Sequence, residues 1–146
     1  MAYSLKADLL TEISEDELIG LTDDESAGIV NEARVTAAIA KGDGIADIYY
    51  GKVVPVPIAA PVPAVVKQNS ITMGIYFLYS RRSAVPEIRA QNYKDVMKHL
   101  GDISTGKASL PPVTEADVGD QIKASGPEEE ATGEDRTFTK DKMGSY

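Results

Sequence analysis

The stretch Ile71-Thr-Met-Gly-Ile-Tyr-Phe-Leu-Tyr79, followed by Arg81-Arg82 and a break at Pro86, decides the fold. Met73, Tyr76 and Tyr79 recur at three-residue steps and Phe77 follows Met73 by four, the stripe with which an amphipathic helix buries one face. Past the bend Ser83-Ala-Val85, Pro86 suits the first position of the next helix, where its missing N–H costs nothing. Tyr93, Val96, Leu100 and Ile103 then step at three, four and three residues. A connection this short predicts antiparallel packing of the two helices. Ile71 to Leu100 is therefore expected to be the central hairpin of a small all-α bundle of four to five helices, carrying most of the side chains large enough to build a core.

Upstream, Ser4 is placed to cap a first helix from Leu5 to Glu12, with Leu5, Leu9 and Ile13 as its apolar side. Ser14-Glu-Asp-Glu17 has the spacing of a capping box, and Ile13 before it with Leu18 after it completes a hydrophobic staple. Glu15, Asp16 and Glu17 fall in the first turn of that second helix, where the helix dipole favours negative charge. Asp23, Asp24 and Glu25 follow in a turn ending near Gly28. This acidic run, Glu15 and Asp16 included, reads either as capping and a solvated face or as a cation site or partner face; EF-hand spacing is absent. Asn31 caps a third helix reaching about Tyr50, with Val35, Ala38, Ile39, Ile45, Ile48 and Tyr49 as core candidates. Gly42 and Gly44 in its interior cost about 2 kcal/mol relative to alanine. The helix is expected to kink or restart there; the spacing matches neither a P-loop nor a dinucleotide fingerprint.

Gly51 to Pro63 carries four prolines, which exclude helix and central strand and predict an extended, polyproline-like connector. Val53, Val54, Val56, Ile58 and Val62 are too many apolar residues for a free loop, so the connector is expected to lie on the helices or on a neighbouring subunit. Pro63 suits the start of the central helix. After Ile103 the pattern fades, and Gly106-Lys-Ala-Ser-Leu-Pro-Pro112 ends helix and domain together. The domain is thus residues 1–112 and the tail 113–146.

The 146 residues carry a net charge of −8 and contain no cysteine. From Thr114 onward nine acids face four bases, so −5 of the charge lies in the tail and −3 in the rest. The tail has too few apolar side chains for a core of its own. It is expected to order on partner subunits, with Val118, Ile122, Phe138 and Tyr146 as anchors; Leu110, at the end of the domain, is a further candidate subunit or portal contact together with the connector's Val53, Val54, Val56 and Ile58 and with Arg81 and Arg82. The acidic balance argues against a free-standing nucleic-acid-binding protein and against binding to anionic membranes. Thiolate metal sites and disulfides are excluded. No basic-then-apolar leader opens the chain and no apolar run approaches about 20 residues, so a protein made on the cytoplasmic side, or carried in a particle assembled there, is expected.

Enzyme chemistry finds no constellation. His99, the single histidine, lies one residue before the core candidate Leu100, and no pattern sets a nucleophile or carboxylate beside it. No histidine and carboxylates have metal-ligand spacing. Neither a catalytic site nor a cofactor is expected. Arg81-Arg82 sit near a helix C-terminus, where they complement the dipole; an intersubunit ion pair and a phosphate contact are the other readings.

The order and spacing of Tyr3-Ser4-x-x-x-Asp8-Leu9, Glu17-Leu18-Ile19-x-Leu21-Thr22-Asp23, Asp47-x-Tyr49-x-Gly51-Lys52 before a proline-bearing connector, and Tyr76-x-Leu78-Tyr79-x-Arg81-Arg82 resemble the Mu-like head–tail connector (adaptor) proteins of tailed bacteriophages. Pro86-Glu-Ile-Arg89, Tyr93, Leu100, Ile103, Gly106 and Leu110 extend the resemblance to about residue 112. Gly42, Gly44, Val53 and the acidic tail depart from the family pattern. The resemblance implies a helical protomer in a ring, usually twelve-membered, beneath the portal protein in the virion neck. Such a ring extends the DNA channel without sequence-specific contact and docks tail-completion or head-closure proteins. Acidic residues such as Glu15, Asp16, Asp23, Asp24 or Glu25, if turned to the lumen, would repel DNA over about a Debye length, roughly 8 Å at physiological salt. The reading from a different class is a regulatory or interaction module whose acidic tail binds a basic partner.

Overall fold

The computed structural model describes residues 1–111, which form five helices and, among those residues, no strand. They are α1 (Lys6–Leu9), α2 (Glu15–Thr22), α3 (Glu32–Tyr50), α4 (Ala64–Arg81) and α5 (Glu87–Ser104). The described residues are all-α, as their periodicity predicts.

Local punctuation sets most boundaries. Ser14 Oγ accepts the Glu17 N–H at 3.2 Å and Asn31 Oδ1 accepts that of Arg34 at 3.2 Å, so both expected caps are made. Pro63 and Pro86 stand at the N-cap of α4 and α5, one position before the first helical residue. At the end of α5, Gly106 takes φ +76°. Its N–H bonds the Ile103 carbonyl and the Lys107 N–H bonds that of Asp102, the two bonds of a Schellman stop.

The first helix is shorter than its apolar spacing suggests. Ser4 does not cap it: the side chain is buried, 2.7 Å from Ser70 Oγ on α4. Asp8 takes over the capping, accepting the Leu5 N–H at 2.8 Å, and Leu5 itself is exposed. Leu10 to Glu12 continue as turns towards Ile13.

α4 lies between α3 and α5, antiparallel to both, and its broadest packing is against α3 rather than α5. The α3–α4 crossing explains the glycines that were expected to break α3. The helix runs through unbroken, and a Cβ on Gly42 would come within 2.9 Å of Met73 Cβ. Gly42 therefore answers to a close approach of two helices, not to a turn. Gly44 has open space around its Cα and no such role.

Two apolar clusters share the interior. One joins Leu9, Ile13, Leu18, Val35, Ile75 and Leu78; the other joins Tyr3, Tyr50, Val66, Met73, Leu100 and Ile103. Each leucine or isoleucine fully buried in them contributes about 1.5–3 kcal/mol. The buried stripe of α4 is aliphatic, with Ile71, Met73, Ile75 and Leu78, whereas Tyr76, Phe77 and Tyr79 are only half-buried on its flanks. There Tyr76 stacks on Tyr93 of α5, centroids 4.0 Å apart and planes at 10°. The aromatics fasten α4 to α5, and the core belongs to the aliphatic residues between them. On α3 the core candidates Val35, Ala38 and Ile39 are buried and Ile45 and Tyr49 partly so, but Ile48 is 68% exposed. Ala46 and Tyr50 fill the place expected of it.

Candidate functional site

Three features of the bundle offer chemistry or surface. The first is a buried polar cluster that pins the N-terminal segment. Asp43, on α3, accepts the Tyr3 N–H at 2.8 Å through Oδ2 and the Ser70 hydroxyl through Oδ1. The Tyr3 hydroxyl donates to Asp47 and accepts the Ile58 N–H at 2.9 Å, which ties the connector to the same place. Burial pushes the Asp43 carboxyl above the usual carboxylate range, against the opposing pull of its Ser70 and Tyr3 hydrogen bonds. Burial, then the bond to Asp47, raises the Tyr3 phenol as well. Among the described residues every buried side-chain polar atom has a partner, so the cluster is a fastening and not an open catalytic pocket.

The second feature is an arginine cluster at the end of the bundle where α2 and α4 finish and α3 begins. Arg81 Nη1 lies 2.6 Å from Asp24, Arg34 Nη1 2.8 Å and Arg82 Nη2 3.0 Å. Arg81 also donates to the Leu21 carbonyl, and Arg82 to those of Gly20 and Asp23 at 2.9 Å each. These carbonyls close α2, where a cation is favoured. The hydrogen bond from Arg81, then the charges of the neighbouring arginines, hold the Asp24 carboxyl below its ordinary range. Asp23 is held low by the N–H groups of Ala27 and Gly28, which it caps. The structure thus gives Arg81 and Arg82 intramolecular partners, and Asp23 and Asp24 fold the loop. Glu15, Asp16 and Glu25 are exposed.

Beside this cluster a groove of about 380 Å³ runs between α3 and α4. Ala38, Phe77 and Leu78 form its floor; Arg34, Lys41 and Arg81 stand on its rim. The Lys41 ammonium lies 4.3 Å from the centre of the Phe77 ring.

The third feature, at the opposite end, is the connector. It bends repeatedly instead of running as one extended rod. Val54, Ile58 and Val62 pack on the second apolar cluster, as expected of residues lying on the helices. Val53 and Val56 remain 47% and 39% exposed. Val56 Cγ2 comes within 3.3 Å of a Cβ built on Gly51, so it covers the end of α3 one turn from the exposed Ile48. Val53 borders a groove of about 310 Å³ shared with Ile103, Ala108 and Leu110. Ile88, 65% exposed at the start of α5, marks a separate apolar spot that sequence periodicity did not single out. The anchors Val118, Ile122, Phe138 and Tyr146 lie outside the described residues.

His99 is partly exposed on α5. Among the described residues no three histidines or carboxylates stand close enough to hold a metal, and no helix is long and apolar enough to cross a membrane. No curated protein matches the chain. Residues 3–126 match the family described as Bacteriophage Mu, Gp36. That span takes in all five helices, and the chain is a phage protein belonging to the Bacteriophage Mu Gp36 family.

Proposed function

We propose that the protein is a structural component of the phage neck, a head–tail adaptor that assembles as a ring beneath the portal, continues the DNA channel and receives the tail-completion or head-closure protein. Membership of a phage family supports a role in virion structure or morphogenesis. The observation that carries the finer reading is the connector end of the bundle. Ile48 at the end of α3 and Val53 and Val56 in the connector that follows it are exposed apolar side chains, and Val53 borders the groove shared with Leu110. Ile88, at the start of α5 and so at the other end of the bundle, is a further exposed apolar side chain. Exposed apolar side chains at two different places on one protomer suit a heterologous contact, which repeats by rotation and closes into a ring. Burying them against neighbours recovers hydrophobic energy at about 25 cal/mol per Å². The function involves no catalytic step and no cofactor; the portal, further copies of the chain and the tail-side protein are its partners, and DNA passes without specific contact. Gly106 to Leu110 are held on the chain's own bundle, so the segment that would reach along the portal or the adjacent adaptor is the acidic tail after them.

Native mass spectrometry of the chain alone and mixed with portal particles tests this. The expected result is a small species alone and a ring-sized mass increment on the portal, lost in Ile48→Asp combined with Val56→Asp. A chain that stays small in the presence of portal would remove the adaptor reading.

A further inference from the structure

The α3–α4 groove lies apart from the exposed apolar side chains just described, and its composition is specific. Arg34 and Arg81, both on its rim, share the one carboxylate of Asp24. Among the described residues, Lys41 meets the Phe77 ring and not a carboxylate. An apolar floor with cations along its rim fits an acidic peptide that also carries an aromatic or aliphatic anchor. The chain contains one. Glu128-Glu-Glu130 and Glu134-Asp135 precede Phe138, in the part of the sequence outside the described residues.

Geometry allows the reach. Leu110 packs on the cluster that holds Tyr50 at the C-terminal end of α3, and the groove begins about 14 Å back along that helix, counted from Tyr50 to Lys41 at roughly 1.5 Å per residue. Residues 111 to 128 extended would span up to about 55 Å at roughly 3.3 Å each. Charge selects the source. Two copies at −8 each repel, whereas a tethered segment acts at an effective concentration in the millimolar range, and closing a loop of this length costs little more than closing a shorter one. Nucleic-acid phosphate would meet the same net repulsion.

We propose that in the free chain the segment Glu128 to Phe138 folds back onto its own α3–α4 groove, its carboxylates on Arg34, Lys41 and Arg81 and Phe138 against the Phe77 floor. This holds whether or not the chain forms a ring on a portal.

Because the chain has no cysteine, Ala131→Cys gives the full-length protein a single nitroxide site for paramagnetic relaxation measured by NMR. The expected result is loss of the amide signals of Ala38, Lys41 and Ser80 in the isotope-labelled, spin-labelled chain. The signals should return when Glu128, Glu129 and Glu130 are all changed to lysine, which leaves the bundle untouched, and in Lys41→Glu. They should also return in part at high salt, where the Debye length shrinks to about 3 Å at 1 M. Groove signals that persist beside the nitroxide would overturn the proposal. So would signal loss indifferent to the lysine changes, or loss of equal size when the nitroxide is on an unlabelled chain mixed with an isotope-labelled one, since the occupant would then be a second copy.

Discussion

Asp43 and Asp24 are the same residue in opposite settings. Asp43 is buried at the middle of the bundle, held by neutral donors, and its carboxyl is pushed up by desolvation. Asp24 is exposed at the end of the bundle, held by three arginines, and its carboxyl is pulled down. Burial makes the first expensive to disturb, because removing it leaves the Tyr3 N–H without a partner or water to replace it, and the Ser70 hydroxyl with Ser4 alone. Exposure makes the second cheap, since solvent screens each of its ion pairs. The bundle is therefore fastened at its centre, where Gly42 lets α3 and α4 touch, and only trimmed at the arginine end.

Asp43→Ala breaks the comparison most directly. It should lower unfolding stability by up to about 3 kcal/mol, the cost of an orphaned buried donor, read by urea denaturation; a neutral result would mean the N-terminal segment is not held there. Next in size is Gly42→Ala, in which overpacking against Met73 of about 1–3 kcal/mol outweighs a helix-propensity gain of about 1 kcal/mol. Gly44→Ala, in open space, should instead stabilise by about 1 kcal/mol. The two alanines have opposite signs only if the crossing is as close as described.

The smallest effects concern pH and have opposite signs at the two carboxylates. Asp24 has a depressed folded-state pKa, so its contribution is present above the ordinary carboxylate value near 4 and is lost as pH falls through the lower folded value. Asp43 has a raised one, so the penalty of ionising it sets in as pH rises through the folded value and is relieved below the ordinary range. Urea denaturation from about pH 7 to about pH 3 should show a shallower acid loss in Asp24→Asn and a steeper one in Asp43→Asn. The same sign at both positions would contradict the assignment of burial and charge as their separate causes.

The contrast also explains what could be read from sequence. The Ser14 and Asn31 caps, the prolines before α4 and α5 and the Gly106 stop act within a few residues, so local spacing revealed them. Ser4 resembled a cap because its real partner, Ser70, is on a distant helix. Gly42 resembled a break because Met73 is invisible at that range, and Asp43 carried no local sign of burial. On α4, period alone could not separate the buried aliphatic stripe from the aromatics flanking it; the Tyr93 that stacks on Tyr76 decides that. At the candidate surfaces, Val53 and Val56 were legible as apolar residues on a proline-fixed segment. Ile48 was read as core because three-residue spacing from Ile45 does not say how wide the buried face of α3 is.

The most direct test of the neck assignment is electron cryomicroscopy of intact virions of a phage that encodes this chain. The account predicts the five-helix bundle repeated around the channel axis immediately below the portal, with Ile48, Val53 and Val56 buried between neighbouring subunits. A neck map in which that layer is built from another fold, with this bundle absent from the particle, would contradict it.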